Sequence, residues 1–196
     1  MKYANAYIDE QIEKLGNTLV YLANNVGEFN KTKALKLLFL LEENSIEEFG
    51  VPFFGFDFKV WQFGPVVPLV YNDFNEELKI LSKYIKVVSP SIEEYEAIAE
   101  FDDGEFSDND LYLLDRIKNF ARHKTATDLV NHTHKKGSLW QNAVDENNLK
   151  ESFENKTLKT TDISIDFFTL VKNDQYLKER YQSSLEYIQF NNYLKS

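Results

Sequence analysis

The side chains of widest chemical range in this sequence are its three histidines, His123, His132 and His134, because imidazole binds metals and moves protons near neutral pH. His132 and His134 stand two apart, a spacing that sends them to different sides of a helix, and no HExxH occurs. With Asp128 they offer at most a weak case for a metal-assisted hydrolase, and ordinary surface or capping roles take precedence. The chain has no cysteine, so it forms neither disulfides nor thiolate metal sites. Its seven glycines are scattered, with neither the Walker nor the dinucleotide spacing, and no GxSxG elbow is present. Carboxylates crowd between Glu93 and Asp115. A catalytic acid pair needs one member desolvated, which a solvated run of charge does not provide. These residues point to a protein that binds rather than catalyses, and no cofactor is expected.

Charge is the next guide to what it binds. The chain of 196 residues has a net charge of −10, divided as −3 over 1–86, −10 over 87–115 and +3 over 116–196. One acidic segment therefore supplies the whole imbalance. Nucleic-acid affinity comes chiefly from lysine and arginine displacing counterions, and only three arginines occur, Arg116, Arg122 and Arg180, so nucleic acid is disfavoured as a partner. A basic run, Arg116 to Lys136, follows the acidic one directly. Either the two neighbour each other in the fold and soften each other's field, or the acidic segment, through Glu93, Glu94, Glu96, Asp102 and Asp103, docks a basic partner.

Aromatic residues concentrate between Phe53 and Phe63: Phe53, Phe54, Phe56, Phe58, Trp61 and Phe63. Such a cluster can stack single-stranded bases, but Lys59 is the only basic residue among them, so core packing with a residual groove for a protein partner explains it better.

The elements that must position these groups are mainly helical. Ile8, Ile12, Leu15, Leu19, Leu22 and Val26 recur at steps of three and four and predict one helix from Tyr7 to Val26. Asn30 caps a second helix whose centre, Leu35 to Leu41, is apolar nearly all round and so belongs at the middle of the core. Its far end, Glu42, Glu43, Glu47 and Glu48, is expected to return to water before Gly50 breaks it. Gly64 followed by Pro65 predicts a third helix from Pro65, with an apolar face reaching Ile85. A small β-hairpin falls around 86–106. Ser107, Thr125 and Ser138 open three further helices, and Ile163 to Val171 and Tyr176 to Leu194 form two more. The polar stretch between Asp145 and Asp162 is the one internal boundary, dividing the chain into 1–145 and a carboxy-terminal helical extension, 146–196, packed on it. The fold class is therefore mainly α, a multi-helix domain with one small hairpin. The longest apolar run, Leu37 to Leu41, is far below the roughly 20 residues of a membrane span, and the amino terminus lacks a secretory apolar stretch, so a cytoplasmic protein is expected with no membrane partner.

The succession TKALKLLFLLEE, then FGVPFFG, then FKVWQFGPVVPLVY resembles the SocA-like antitoxin family, whose domain is called Panacea. The shared pattern is a lysine-leucine helix with Lys36, Leu37 and Leu38, a Gly50-x-Pro52 approach, then Trp61, Gly64, Pro65 and Val66 leading to Tyr71. LVNHTHKKGSLW is similar to the domain's closing motif and supplies Thr133, His134 and Trp140. The resemblance spans about Tyr7 to Val144. Where relatives carry an acidic–small pair before the tryptophan, this chain has Lys59 and Val60. The resemblance implies a non-enzymatic role, binding and neutralising a toxin made by a neighbouring gene, in some relatives as an adaptor to a protease. Phage-associated proteins share the domain. Trp61, Gly64 and Pro65 read first as fold residues. The alternative function is a nucleic-acid-binding regulator of its own operon, acting through the Arg116 to Lys136 strip.

Overall fold

The structure, a computed structural model, describes residues 9–195. Tyr7 and Ile8 of the first predicted helix lie outside the described residues. Among them the fold comprises nine α-helices and two separate two-stranded antiparallel sheets, a mainly α architecture.

Helix α1 (Asp9–Asn25) lays Leu15, Leu19 and Leu22 into the core, as the stripe predicts. Helix α2 (Lys31–Phe49) runs through the middle of the molecule. Asn30 caps it, its side chain accepting from the Lys33 amide at 2.9 Å, and Leu37, Leu38, Leu40 and Leu41 are all but inaccessible. Gly50, at φ +64, ends it in a left-handed conformation, and its missing Cβ leaves room for the Leu177 carbonyl of the last helix, to which an added Cβ would stand at 2.5 Å. The Glu42 side chain does not return to water. It is 1% exposed and folds back onto the loop after α2, accepting from the Phe54 amide at 2.7 Å and the Gly55 amide at 3.1 Å. Burial of this carboxyl is tolerated because the two amides satisfy its oxygens, offsetting part of the cost of taking it out of water.

The third helix starts later than the sequence predicts. Gly64–Val66 forms β2, paired with β1 (Lys59–Trp61) in a register that sets Trp61 opposite Gly64. The proline at the first helical turn is Pro68, and α3 spans Pro68–Asn75. Nor does α3 continue to Ile85. Asp73, buried, accepts from the Ile80 and Leu81 amides, while Glu77 and Leu78 take positive φ, so the chain turns and Leu78 and Leu81 enter the core from a loop. The hairpin lies where it was expected, as β3 (Ile85–Ser89) and β4 (Glu94–Ala97), with β4 against α1.

Helices α4 (Asp108–Ala121) and α5 (Ala126–Thr133) both begin with capping boxes, Ser107 with Asp110 and Thr125 with Asp128, and α6 (Leu139–Glu146) is capped by Ser138. A short α7 (Lys150–Glu154) follows. The stretch from Ile163 to Val171 is not one helix. Ile163 and Ile165 are extended beside β1, the Val60 amide donating to the Ile163 carbonyl and the Ile165 amide to the Phe58 carbonyl, and only Phe168–Val171 is helical, as α8. The last helix, α9 (Gln175–Lys195), packs on α2 and α8 through Leu177 and Tyr181. No helix among the described residues is long and apolar enough to cross a membrane.

Candidate functional site

Six residues of the shared pattern, Lys36, Trp61, Gly64, Tyr71, His134 and Trp140, come from α2, the β1–β2 hairpin, α3, α5 and α6 and meet at one place, whereas Gly50 and Pro52 lie apart from them, beside α9. Lys36, on the buried side of α2, donates its ammonium to the Phe63 carbonyl at 2.6 Å, at the turn of the β1–β2 hairpin. Trp140, in the first turn of α6, donates its indole N–H to the Trp61 carbonyl at 2.8 Å. The His134 ring, at the carboxy-terminal cap of α5, stacks on Trp140 with centroids 3.7 Å apart, and Trp61 meets Tyr71 of α3 edge to face at 5.0 Å. Gly64, at φ +110, lies where these groups crowd. A Cβ there would stand 2.2 Å from Lys36 Nζ and 2.7 Å from His134 Nε2.

Burial governs the electrostatics of this cluster. Lys36 is 2% exposed with no carboxylate within ion-pair distance among the described residues, and burial pulls its pKa down to about 7. His134 is pulled down to about 4, first by burial and then by the neighbouring Lys36, with hydrogen bonding to the Phe63 backbone opposing. An amine titrating near 7 has the basicity that amine catalysis uses, but this one is sealed and spends its hydrogen bond on a backbone carbonyl. The arrangement holds a hairpin turn. His132 lies elsewhere, edge to face with Phe120 at 5.0 Å, and Asp128 is engaged in the α5 cap. Among the described residues no three histidine, aspartate or glutamate side chains gather closely enough to hold a metal.

Lys59, the departure from the shared pattern, donates to the Asp162 carbonyl at 2.9 Å and the Ser164 hydroxyl at 3.0 Å and pairs with Asp57 at 2.7 Å. It ties the extended stretch 159–165 to the edge of β1. The aromatic run divides in two. Phe53, Phe54, Phe56 and Phe58 are core, whereas Phe63, at the hairpin turn that Lys36 holds, is 69% exposed.

The acidic residues lie on the surface along the second hairpin and the loop after it. Glu93 pairs with Lys31 and Glu96 pairs with Lys86 across the strands at 2.8 Å, while the Glu94 backbone forms an antiparallel bridge with that of Asn30. Asp102 accepts from the Gly104 amide, and Asp103 is exposed. The partners of this segment are mostly α1, α2 and β3 lysines rather than the basic run that follows it in sequence. Only Lys118, paired with Asp115, joins the two, while Arg116 turns to Glu48 and Asn44 of α2. Of the basic run, Arg122, Lys135 and Lys136 remain exposed.

Three features were beyond sequence reasoning. Glu43 is pushed up to about 7 by burial and then by Glu47, although it was expected in water. Lys33, 2% exposed, caps the end of α1 through the Gly27 carbonyl, and only its place one turn into an apolar helix hints at burial. A groove of about 650 Å³ runs between α1, the loop after α2 and α9, with Lys14, Pro52, Phe54 and Tyr187 in its walls. Pro52 belongs to the shared pattern, but α9 lies outside it.

The profile of the family described as antitoxin SocA-like, Panacea domain, matches residues 35–141, from α2 to the start of α6. No curated protein and no solved structure gives a match.

Proposed function

The chain belongs to the SocA-like antitoxin family through its Panacea domain, and from that premise we propose that it binds and neutralises a toxin encoded by a neighbouring gene in the cytoplasm. The observation that carries the reading is the family match over 35–141, more than half of the chain. The role is one of binding and not of catalysis. Delivery of the bound toxin to a protease, as an adaptor, is the further step that the family suggests.

Two surface features support the binding role. The acidic hairpin, with Glu93, Glu94, Glu96, Asp102 and Asp103 on one segment of charge −10, is suited to steering a basic partner, which raises the association rate and makes it salt-sensitive. The groove beside Pro52 and Phe54 offers apolar surface whose burial supplies affinity. Co-expression with the product of the adjacent gene is the test. Growth rescue together with stoichiometric co-purification at low and moderate salt supports the reading. A harmless neighbour that does not bind removes it, and binding of the upstream DNA in a gel shift would then favour the operon-regulator alternative.

A further inference from the structure

We propose that the tip of the β1–β2 hairpin is a docking surface for an acidic segment of a protein, with Phe63 as its apolar anchor and the lysines around it as its charged rim. Gln62 and Phe63 form the two-residue turn between the paired Trp61 and Gly64, and Phe63 is 69% exposed. The backbone under that ring is held from inside. Lys36 donates to the Phe63 carbonyl at 2.6 Å, the Gln62 amide donates to the Lys159 carbonyl at 2.9 Å, and the Gln62 side chain donates to the Phe153 carbonyl at 2.6 Å. An aromatic side chain presented on a fixed turn leaves little backbone freedom to lose when a partner covers it, which suits it to be an anchor.

Charge selects the occupant. Three stretches of chain converge on the tip. One is the hairpin turn itself, 61–67. The second, 134–140, brings His134 against Gly64 and the Trp140 indole to the Trp61 carbonyl. The third, 153–161, is bonded to Gln62 and, through Thr161, to Val60 and Trp61. Together they carry four lysines, Lys135, Lys136, Lys156 and Lys159, against one acid, Glu154. All four lysines are exposed, and among the described residues none has an ion-pair partner. Glu93 of the other hairpin approaches through Tyr71, but Lys31, 5.3 Å from that ring, pairs with it. In a chain of net charge −10 a local balance of four against one is an exception, and it matches a partner of negative charge. A long polyanion such as single-stranded nucleic acid meets the repulsion of the whole chain, and no arginine stands in these three stretches to grip a phosphate in two places. A short acidic segment with one large apolar side chain meets chiefly the local field.

The proposal goes beyond the toxin reading and does not rest on it, since its probes involve no product of a neighbouring gene. The test is titration of the full chain with a synthetic heptapeptide of six glutamates around a central tryptophan, monitored by calorimetry and amide NMR at low salt. The expected dissociation constant is about 10 µM to 1 mM, with shifts at the Gln62, Phe63 and Gly64 amides. Phe63→Ser should weaken binding about tenfold or more with the melting temperature unchanged, because the ring is exposed. Lys135→Glu combined with Lys159→Glu should weaken it as much, and so should added salt. No binding up to about 1 mM, shifts that miss 62–64, or binding indifferent to Phe63→Ser would each overturn the proposal. Equal binding of the peptide with lysines in place of its glutamates would overturn it too. So would tighter binding of a single-stranded oligothymidylate than of the peptide, because the surface would then be one for nucleic acid. The amide shifts are read on the unaltered chain, so they decide the matter even where a variant does not fold.

Discussion

Lys36 is the residue on which the shared pattern turns. Its ammonium is held at the Phe63 carbonyl without a carboxylate beside it, so the folded state favours the neutral amine, with a pKa of about 7 against 10.5. Stability from this site is therefore complete above about 10.5 and is lost as the pH falls toward about 7. Lys36→Met removes that dependence. In urea titrations between those limits the wild type should lose stability relative to Lys36→Met as the pH falls, with a slope approaching about 1.4 kcal/mol per pH unit, and parallel profiles would show that no charge is buried there. Gly64 faces the same ammonium. Gly64→Ala puts a Cβ 2.2 Å from Lys36 Nζ at a φ of +110, and should cost about 2–4 kcal/mol in equilibrium unfolding. The sequence marks Lys36, Gly64, His134 and Trp140 as a set through the family pattern, yet they lie up to 104 positions apart. Nothing in their spacing says that a lysine on an apolar helix and a histidine after a short one press on the same glycine, because that contact is made by the packing of α2, α5 and the hairpin.

Elements follow the same division. Helices α2, α4, α5 and α6 are announced by their caps, since a side chain that accepts an orphan amide acts within four residues. Ser107→Ala breaks the α4 capping box and is expected to lower stability by about 1 kcal/mol, measured by chemical denaturation. The β1–β2 hairpin is hidden because Gly64–Pro65 is equally good chemistry for entering a helix, and what decides is the pairing of Trp61 with Gly64 and the outer stretch 159–165, about a hundred residues away. That stretch closes the edge of β1, with the Val60 and Gln62 amides bonded to the Ile163 and Lys159 carbonyls. Lys59→Ala should therefore speed hydrogen exchange at Val60 and Gln62 about tenfold or more while leaving the α2 amides unchanged. Unchanged exchange at Val60 would mean that Lys59 does not secure the edge.

At the scale of the whole molecule the net charge of −10 is the dominant long-range feature. If the proposed function holds, neutralising Glu93, Glu94, Glu96, Asp102 and Asp103 together should slow association with the proposed basic partner about tenfold at low ionic strength and leave it nearly unchanged in molar salt, read by stopped-flow or surface binding kinetics. Equal rates at low salt would remove the hairpin from the encounter. The sequence by itself determined the mainly helical class, the central place of α2, the caps and the family, because periodicity, capping and local motifs are written within a few neighbouring residues. The tertiary structure alone decided that Glu42 and Lys33 are buried, that Gly64–Val66 is a strand, that the acidic hairpin pairs with lysines of α2 and β3, and that α9 keeps an uncovered aromatic side. Each of these depends on which distant surfaces meet. A buried charge is tolerated only where a remote carbonyl or amide arrives to satisfy it, and a strand exists only where its partner's edge is in reach.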